Sequence, residues 1–417
     1  MDISSFKNLN FNKICEKDES ERNIGYSLFK NVILTGRNIF YPNILLYCDD
    51  ILISPYDEKI MSLNKDSFYD NNKYYLQIDK NENKDKIIIE EPCFFFIYNF
   101  DNYYHFLYDT LPYLYTYIEL KKYIPELKIL INYPNKNMKN LYKFNIELLK
   151  KIINMNDILY HNDDYIYKEC YVSSSLTHGG YSNNPPRKEI FIIFDIIKNN
   201  ICLENINNKY KYLKKIYISR RTWINNDKSN IGTDYTTRRK MINEDNFVNY
   251  LIKKNFIEIF AENLNTDEKI YLFMNTNIII GSIGGGMANL LFSNKKVKSI
   301  ILITPFFLNI NYRFKYSLEK SDFNYFYDIN TYKNSIIPLY CRIKILKNNK
   351  IGEIINFDKD TNKYLINISN NDVVAFNNTI NFNKEYYYEN EFILLDNGLN
   401  SPYVIDIDKF NNIFYNI

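Results

Sequence analysis

Between residues 215 and 304, short apolar runs alternate with amphipathic stretches, and this limits the fold more than any other feature of the chain. Residues 215–219, 256–260, 277–280 and 298–304 have strand length and strand composition. Between them lie helical patterns. One runs from Asn243 to about Lys254 with Phe247, Leu251 and Ile252 inward. A second runs from Asn265 to about Met274, opened by the capping-box pair Asn265 and Glu268, and a third starts at Met287. Strands and helices taking turns at these lengths dictate a parallel sheet covered on both faces.

The preceding half repeats the theme less regularly. Residues 104–123 have helical periodicity, with Leu107, Leu111, Leu114, Tyr115 and Ile118 on one face. A strand at 127–132, a helix at 138–154 and a strand at 171–173 follow. Another helix is opened by Pro185, Pro186 and Arg187, proline being well placed in a first turn. Residues 31–97 read as short strands, 74–78 among them. After 338 the pattern is again of short strands, with turns at 348–349 and 359–362. The domain reading is a lead-in (1–24), an α/β lobe (25–205), a Rossmann-like lobe (210–337) and a small all-β unit of SH3-like kind (338–417).

Composition removes several function classes. The 52 basic residues nearly balance the 49 acidic ones, which argues against a protein held to nucleic acid by bulk charge. The six cysteines are widely spaced and form no C-x-x-C pair, so they point to reduced thiols rather than to a metal or disulfide framework. No run approaches the ~20 apolar residues of a membrane span. Residues 1–13 lack the apolar core of a signal peptide. The expectation is a soluble, cytoplasmic protein. The excess of Ile, Asn, Lys and Tyr reads as an AT-rich genome, such as that of some protists or of a large DNA virus acting in host cytoplasm, so the asparagine runs carry little functional weight.

Three segments carry chemistry. The first is the turn Gly281, Ser282, Ile283, Gly284, Gly285, Gly286, Met287, Ala288, Asn289 between a strand and a helix. Amides and dipole at such a helix start attract a diphosphate, while glycines that only pack helix against sheet fit the same pattern. A dinucleotide reading fits poorly, because G-x-G-x-x-G spacing and the ribose-binding carboxylate are both missing. The second segment is Ser219, Arg220 and Arg221 at a strand's carboxyl end, followed by Arg238 and Arg239 before the helix that starts at Asn243 and Glu244. Four arginines within 20 residues of a lysine-dominated chain suit phosphate, and a solvated charge cluster is the alternative. The third runs from Asn102 to Pro112. His105 and Asp109 share a helix face there, as a base with its orienting carboxylate or as a structural pair at the edge of the core. His178 and Gly179 lie in a glycine loop, and His161 in a polar one.

Together these segments resemble family 61 glycosyltransferases. Asn102–Pro112 is similar to N-Y-Y-H-W-L-x-D-x-L-P, with Phe106 for Trp. Ser219, Arg220 and Arg221 match a strand ending in S-R-R, and Arg238 and Arg239 precede an N-E-D-E helix start matched by Asn243, Glu244 and Asp245. Gly281–Phe292 is similar to G-x-H-G-A-x-L-x-N-x-x-F, with Ile283 for His and Gly285 for Ala. The order and spacing agree over about residues 95–305. The family contains animal protein O-linked N-acetylglucosaminyltransferases and plant xylan-decorating enzymes.

The resemblance implies an α/β fold of GT-B type, inversion at the anomeric carbon and no obligatory metal. It implies no cofactor beyond a nucleotide-sugar co-substrate, UDP-linked, and a glycan or protein acceptor. His105 and Asp109 become the catalytic residues, His105 the first candidate for the base and Asp109 the second. Ser219, Arg220, Arg221, Arg238, Arg239, Asn243, Glu244, Gly281, Ser282, Gly284, Gly285, Gly286, Met287 and Asn289 become donor-side residues. Tyr104, His178 and Gly179 lie on the acceptor side. The unit after 338 reads as an addition to the family core, a candidate surface for docking a partner or a second copy, and removable without loss of nucleotide binding. The loss of the family histidine at Ile283 leaves open a second reading, a catalytically degenerate binding module.

Overall fold

The structure is a computed structural model. It describes residues 11–15, 24–33, 46–48, 51–53, 86–97, 100, 102–132, 140–162, 164–174, 176–177, 185–221, 241–303, 322–326, 342–345, 350–358, 360–361, 363–369, 372–377, 387–388, 392–394 and 402–414. The strand expected at 74–78 lies outside them, as do His178, Gly179, Arg238 and Arg239.

In chain order the first half contains β1 (Phe11–Cys15), β2 (Ile24–Ile33), β3 (Leu46–Cys48), β4 (Ile51–Ile53), β5 (Ile87–Ile89) and β6 (Cys93–Phe95). A helical run from Tyr103 follows and ends in α1 (Leu114–Lys121). Then come β7 (Lys128–Ile131), α2 (Lys143–Leu149), β8 (Ile158–Tyr160), β9 (Tyr165–Ser173) and α3 (Ile190–Asn199). The main sheet has the order β1-β2-β9-β6-β7-β8, and β5 also pairs with β9. Strands β9, β6, β7 and β8 are mutually parallel; β2 pairs antiparallel with β9, and β1 antiparallel with β2. Both β5 and β6 lie beside β9, at Tyr165–Tyr167 and at Cys170–Tyr171. They are one strand interrupted near Pro92, which has no N–H to give a ladder.

The second half opens with β10 (Lys215–Ile218), α4 (Glu244–Lys253), β11 (Ile257–Ile259), α5 (Thr266–Asn275), β12 (Ile278–Ser282), a 3-10 run Gly285–Phe292, β13 (Lys298–Leu302) and β14 (Asp322–Phe326). All five strands are parallel, in the order β11-β10-β12-β13-β14. The interiors of β10, β12 and β13 are continuous buried Ile-rich runs behind a less buried first residue, as in a sheet covered on both faces. The Asn265–Glu268 capping box forms at the start of α5 as its sequence predicts. Asn255, at φ 64°, ends α4 with a left-handed residue, a conformation asparagine tolerates.

The last strands, β15 (Arg342–Ile345), β16 (Ile351–Asp358), β17 (Lys363–Ser369), β18 (Asp372–Asn377), β19 (Tyr387–Tyr388) and β20 (Phe392–Leu394), form one antiparallel sheet in the order β18-β17-β16-β15-β20-β19. The chain then returns to the second sheet. Tyr403 bridges to Met241, and α6 (Ile407–Phe414) packs Phe410 edge-on against Phe247 of α4 at 4.9 Å.

One apolar core joins the two parallel sheets. It includes Phe94, Phe106, Leu111 and Ile129 from the first half and Ile216, Ile279, Met287 and Leu290 from the second. Phe194 of α3 meets Phe292 edge-on at 5.6 Å. A separate core on the far face of the second sheet contains Tyr217, Phe247 and Ile280 together with Tyr403, Ile405 and Phe410 from the chain's end.

Candidate active site

In an open parallel sheet, ligands bind beyond the carboxyl ends of the strands, where the order of strands reverses. In the second sheet the chain runs from β10 outward to β11, then crosses back to β12 on the other side. The crevice therefore lies between the ends of β10 and β12, where the sequence places Ser219, Arg220, Ser282, Ile283 and Gly284. In the first sheet, β6 is followed by β7 and β8 on one side and by β9 on the other. Its reversal point lies between β6 and β9, and the chain leaving β6 enters the helical run that holds His105.

The paired arginines separate at the second crevice. Arg220 donates from Nη1 to the Ile283 carbonyl at 3.3 Å, across the gap between β10 and β12. Arg221 is forked onto Glu258 of β11 at 2.7 and 2.5 Å and donates to Asp245 at 2.5 Å. The hydrogen bond with Glu258 is the largest cause raising its pKa. Arg220 stands at the crevice; the charge of Arg221 is already matched by two carboxylates.

Below Arg220 lies a buried carboxylate. Glu244, 2% exposed, accepts from Tyr217 at 2.7 Å, Ser219 at 3.2 Å and the Arg220 amide at 3.0 Å. Burial raises its pKa, against those hydrogen bonds, which lower it. Ser282 accepts from the Tyr403 hydroxyl at 2.6 Å. Asn243 does not cap α4 with its side chain. It donates to the Ile405 carbonyl at 2.7 Å and accepts from the Ile405 amide at 3.0 Å. Ser219, Glu244, Ser282 and Asn243 thus hold the backbone of the crevice in place from behind.

The glycines divide in the same way. A Cβ on Gly281 would come within 2.5 Å of Met287 Sδ and 3.0 Å of Ile218 Cβ, and one on Gly286 within 2.8 Å of Ile218 Cγ2. Those two let the turn lie directly on β10. A Cβ on Gly285 meets nothing within 4 Å. Gly284 precedes the 3-10 run, whose first amides have no partner within the helix. Met287 is fully buried, and its amide donates back to the Gly284 carbonyl at 3.1 Å. Ile283, at the position of the family histidine, is 2% exposed and part of the shared core.

On the other side, Asn102 accepts from the amides of Tyr104 and His105 at 3.0 and 3.3 Å and starts the helical run. The run is not one α-helix. After Tyr103–His105 it widens into a π-helix, Phe106–Thr110, and tightens to a 3-10 turn, Leu111–Tyr113, before α1. Pro112 cannot donate to the carbonyl of Tyr108, and its ring crowds that carbonyl, so the turn before it opens to i→i−5 pairing, Leu111 N–H to Phe106 O. His105 Nδ1 and Asp109 Oδ2 are 2.5 Å apart, with side chains 20% and 5% exposed. Asp109 is the inner member and His105 the outer. Tyr104 meets the His105 ring edge-on at 5.2 Å and stacks on Tyr108.

A hydrogen bond joins the two motif segments: Tyr103 Oη donates to Asn289 Oδ1 at 2.6 Å. Asn289, 1% exposed, donates in turn to the Gly286 carbonyl at 2.9 Å. Asn102 is a capping residue type at a helix start and could have been read as one, whereas nothing in local sequence marks Tyr103 as a bridge.

The family model described as Glycosyltransferase 61 matches residues 103–301, from Tyr103 to Ile301 near the end of β13. Over these residues the chain is similar to family 61 glycosyltransferases. The matched span takes in the His105 run, the β10 end and the glycine turn. Comparison with curated proteins returns no match. Among the described residues, no helix is long and apolar enough to cross a membrane.

Proposed function

We propose that the chain is a family 61 glycosyltransferase of GT-B type that transfers a sugar from a UDP-sugar to a hydroxyl of a glycan or protein, with inversion. The supporting observation is that two reversal points, each at the carboxyl ends of parallel strands, carry complementary chemistry and are tied together by Tyr103 and Asn289. At one, Arg220 and the first amides of the 3-10 run present positive charge suited to a leaving diphosphate. At the other, His105 faces outward, backed by Asp109.

In this reading His105 takes the proton of the acceptor hydroxyl as that oxygen attacks the anomeric carbon. The bond to the UDP oxygen breaks, and the leaving charge is met by Arg220 and the turn. With Nδ1 on Asp109, the Nε2 side of the ring is the one that receives the proton. Asp109 fixes the ring and stabilises the imidazolium. Arginine and amide stabilisation makes the transfer independent of a divalent metal. The antiparallel unit at 342–394 serves acceptor choice or partner docking.

A panel of UDP-sugars, assayed for thermal stabilisation and for release of UDP with and without EDTA, tests this. Release that survives EDTA is expected, and His105→Ala is expected to lower kcat by about 10²–10⁴-fold while leaving UDP affinity nearly intact. Loss of all release on chelation, with rescue by Mn²⁺, would refute the metal-free step. The buried Ile283 favours the alternative of a binding module without turnover. UDP binding with no release from any donor would decide for it.

A further inference from the structure

Tyr103, at the start of the His105 run, reaches Asn289 beyond the glycine turn. We propose that Tyr103 is a positioning residue, which through Asn289 sets the placement of His105 relative to the donor turn. The inference rests on the reading of His105 as the base.

Tyr103 opens the three-residue α-turn that ends at His105. A turn this short has no stability of its own, since fixing one costs more than its few hydrogen bonds return. Its position must come from outside, and Tyr103 is gripped on three sides. Phe144 of α2 meets its ring edge-on at 5.3 Å, Lys269 of α5 lies over the ring at 5.3 Å, and Asn289 holds the hydroxyl. Phe144 belongs to the first sheet's layers, and Lys269 and Asn289 to those of the second. The Asn289 amide is fixed on the Gly286 carbonyl, so a displacement of the glycine turn is passed to the turn bearing His105. Proton removal and leaving-group departure occur in one transition state, and the separation of base and diphosphate site is the quantity this contact fixes. A misplacement of about 1 Å at such a site costs on the order of 10²-fold in rate.

Tyr103→Phe keeps the ring and its packing and removes only the hydroxyl. Three results are expected. In histidine-labelled protein, the imidazole resonances of His105 shift or broaden, while those of His161 and His178 stay in place. The kcat for UDP release falls about ten- to a hundredfold with UDP affinity within about twofold, as expected of an effect confined to the transition state. In a His105→Ala background, Tyr103→Phe adds nothing, because the residue through which it acts is gone. Unchanged His105 resonances overturn the proposal. So does a loss of the same size with and without His105. If the wild-type chain releases UDP from no donor, the functional reading fails instead, and the resonance comparison still decides the role of Tyr103.

Discussion

Replacing Arg220 with alanine removes a guanidinium from the crevice between β10 and β12, whereas replacing Arg221 breaks a fork held by Glu258 and Asp245. Charge-assisted contacts to phosphate are worth ~1.5–3 kcal/mol each. Arg220→Ala is therefore expected to weaken UDP binding at least about tenfold by calorimetry, the equivalent of ~1.4 kcal/mol. Arg221→Ala is expected to act on stability, by ~1–3 kcal/mol for its lost pairing with the half-buried Glu258, with UDP affinity little changed. The reverse ranking would return Arg221 to the donor site. Sequence alone cannot separate the two, because the carboxylates that claim Arg221 lie 24 and 37 residues away. The glycines permit a sharper contrast. Gly285→Ala, which restores the residue of the family pattern, has open space for its Cβ and no left-handed backbone. It should be neutral or stabilising by up to ~1 kcal/mol. Gly281→Ala drives a methyl against Met287 and Ile218 and should cost ~1–3 kcal/mol in denaturant unfolding. Equal effects of the two would mean that the turn does not rest on β10.

Among elements, α4 shows why the start of a helix can be read correctly and its opening residues misassigned. The Asn243, Glu244, Asp245 sequence marks the start of the helix in the right place. Asn243 does not cap the helix, since its side chain holds the backbone of Ile405, and Glu244 sits buried under the end of β10. Those partners come from other elements, and no local pattern encodes them. The run from Tyr103 gives a different lesson. Its apolar period is present, and Leu107, Leu111 and Leu114 are all fully buried. The widening before Pro112 keeps the apolar face inward and so leaves no mark on the period. The buried Glu244 has a measurable consequence. Its pKa is raised above the ordinary 4.5, so the folded chain holds its proton more tightly than the unfolded chain does. From pH 4.5 up to the raised value, its contribution to stability falls as pH rises. Glu244→Gln cannot titrate and keeps an oxygen for Tyr217. The stability of this variant relative to wild type should be flat below that window, climb through it and level off above. Urea unfolding across a pH series measures this, and a pH-independent difference would show that Glu244 ionises alike in both states.

At the scale of the molecule, the two parallel sheets were legible because strand and helix lengths alternate locally, while the way the chain closes on itself was not. The antiparallel addition of β1 and β2 and the return of residues 402–414 to the second sheet depend on pairings far apart in sequence, such as Met241 with Tyr403. This return bears on where the chain can be cut. From sequence, a chain ending at 337 is expected to stay folded and bind nucleotide. The structure removes three large side chains from the second core with that cut: Tyr403, Ile405 and Phe410, none more than 1% exposed. Burying each contributes ~1.5–3 kcal/mol, so together they are comparable with the ~5–15 kcal/mol that separates a folded domain from its unfolded state. The Tyr403 hydroxyl on Ser282 and the Ile405 backbone on Asn243 go with them, leaving polar groups unmatched behind the crevice. A chain ending at residue 400 retains every strand of the antiparallel unit and loses only this return. It should lose the cooperative melting of the full chain and its thermal response to UDP. Phe410→Ala is the milder form of the same cut and should cost ~3–5 kcal/mol. Because the first core is continuous through both sheets, the full chain should melt them together in one calorimetric transition. A chain ending at 400 that melts at the wild-type temperature with UDP stabilisation intact would show that the return lies on the second sheet without supporting it, and that the cut at 337 is permitted.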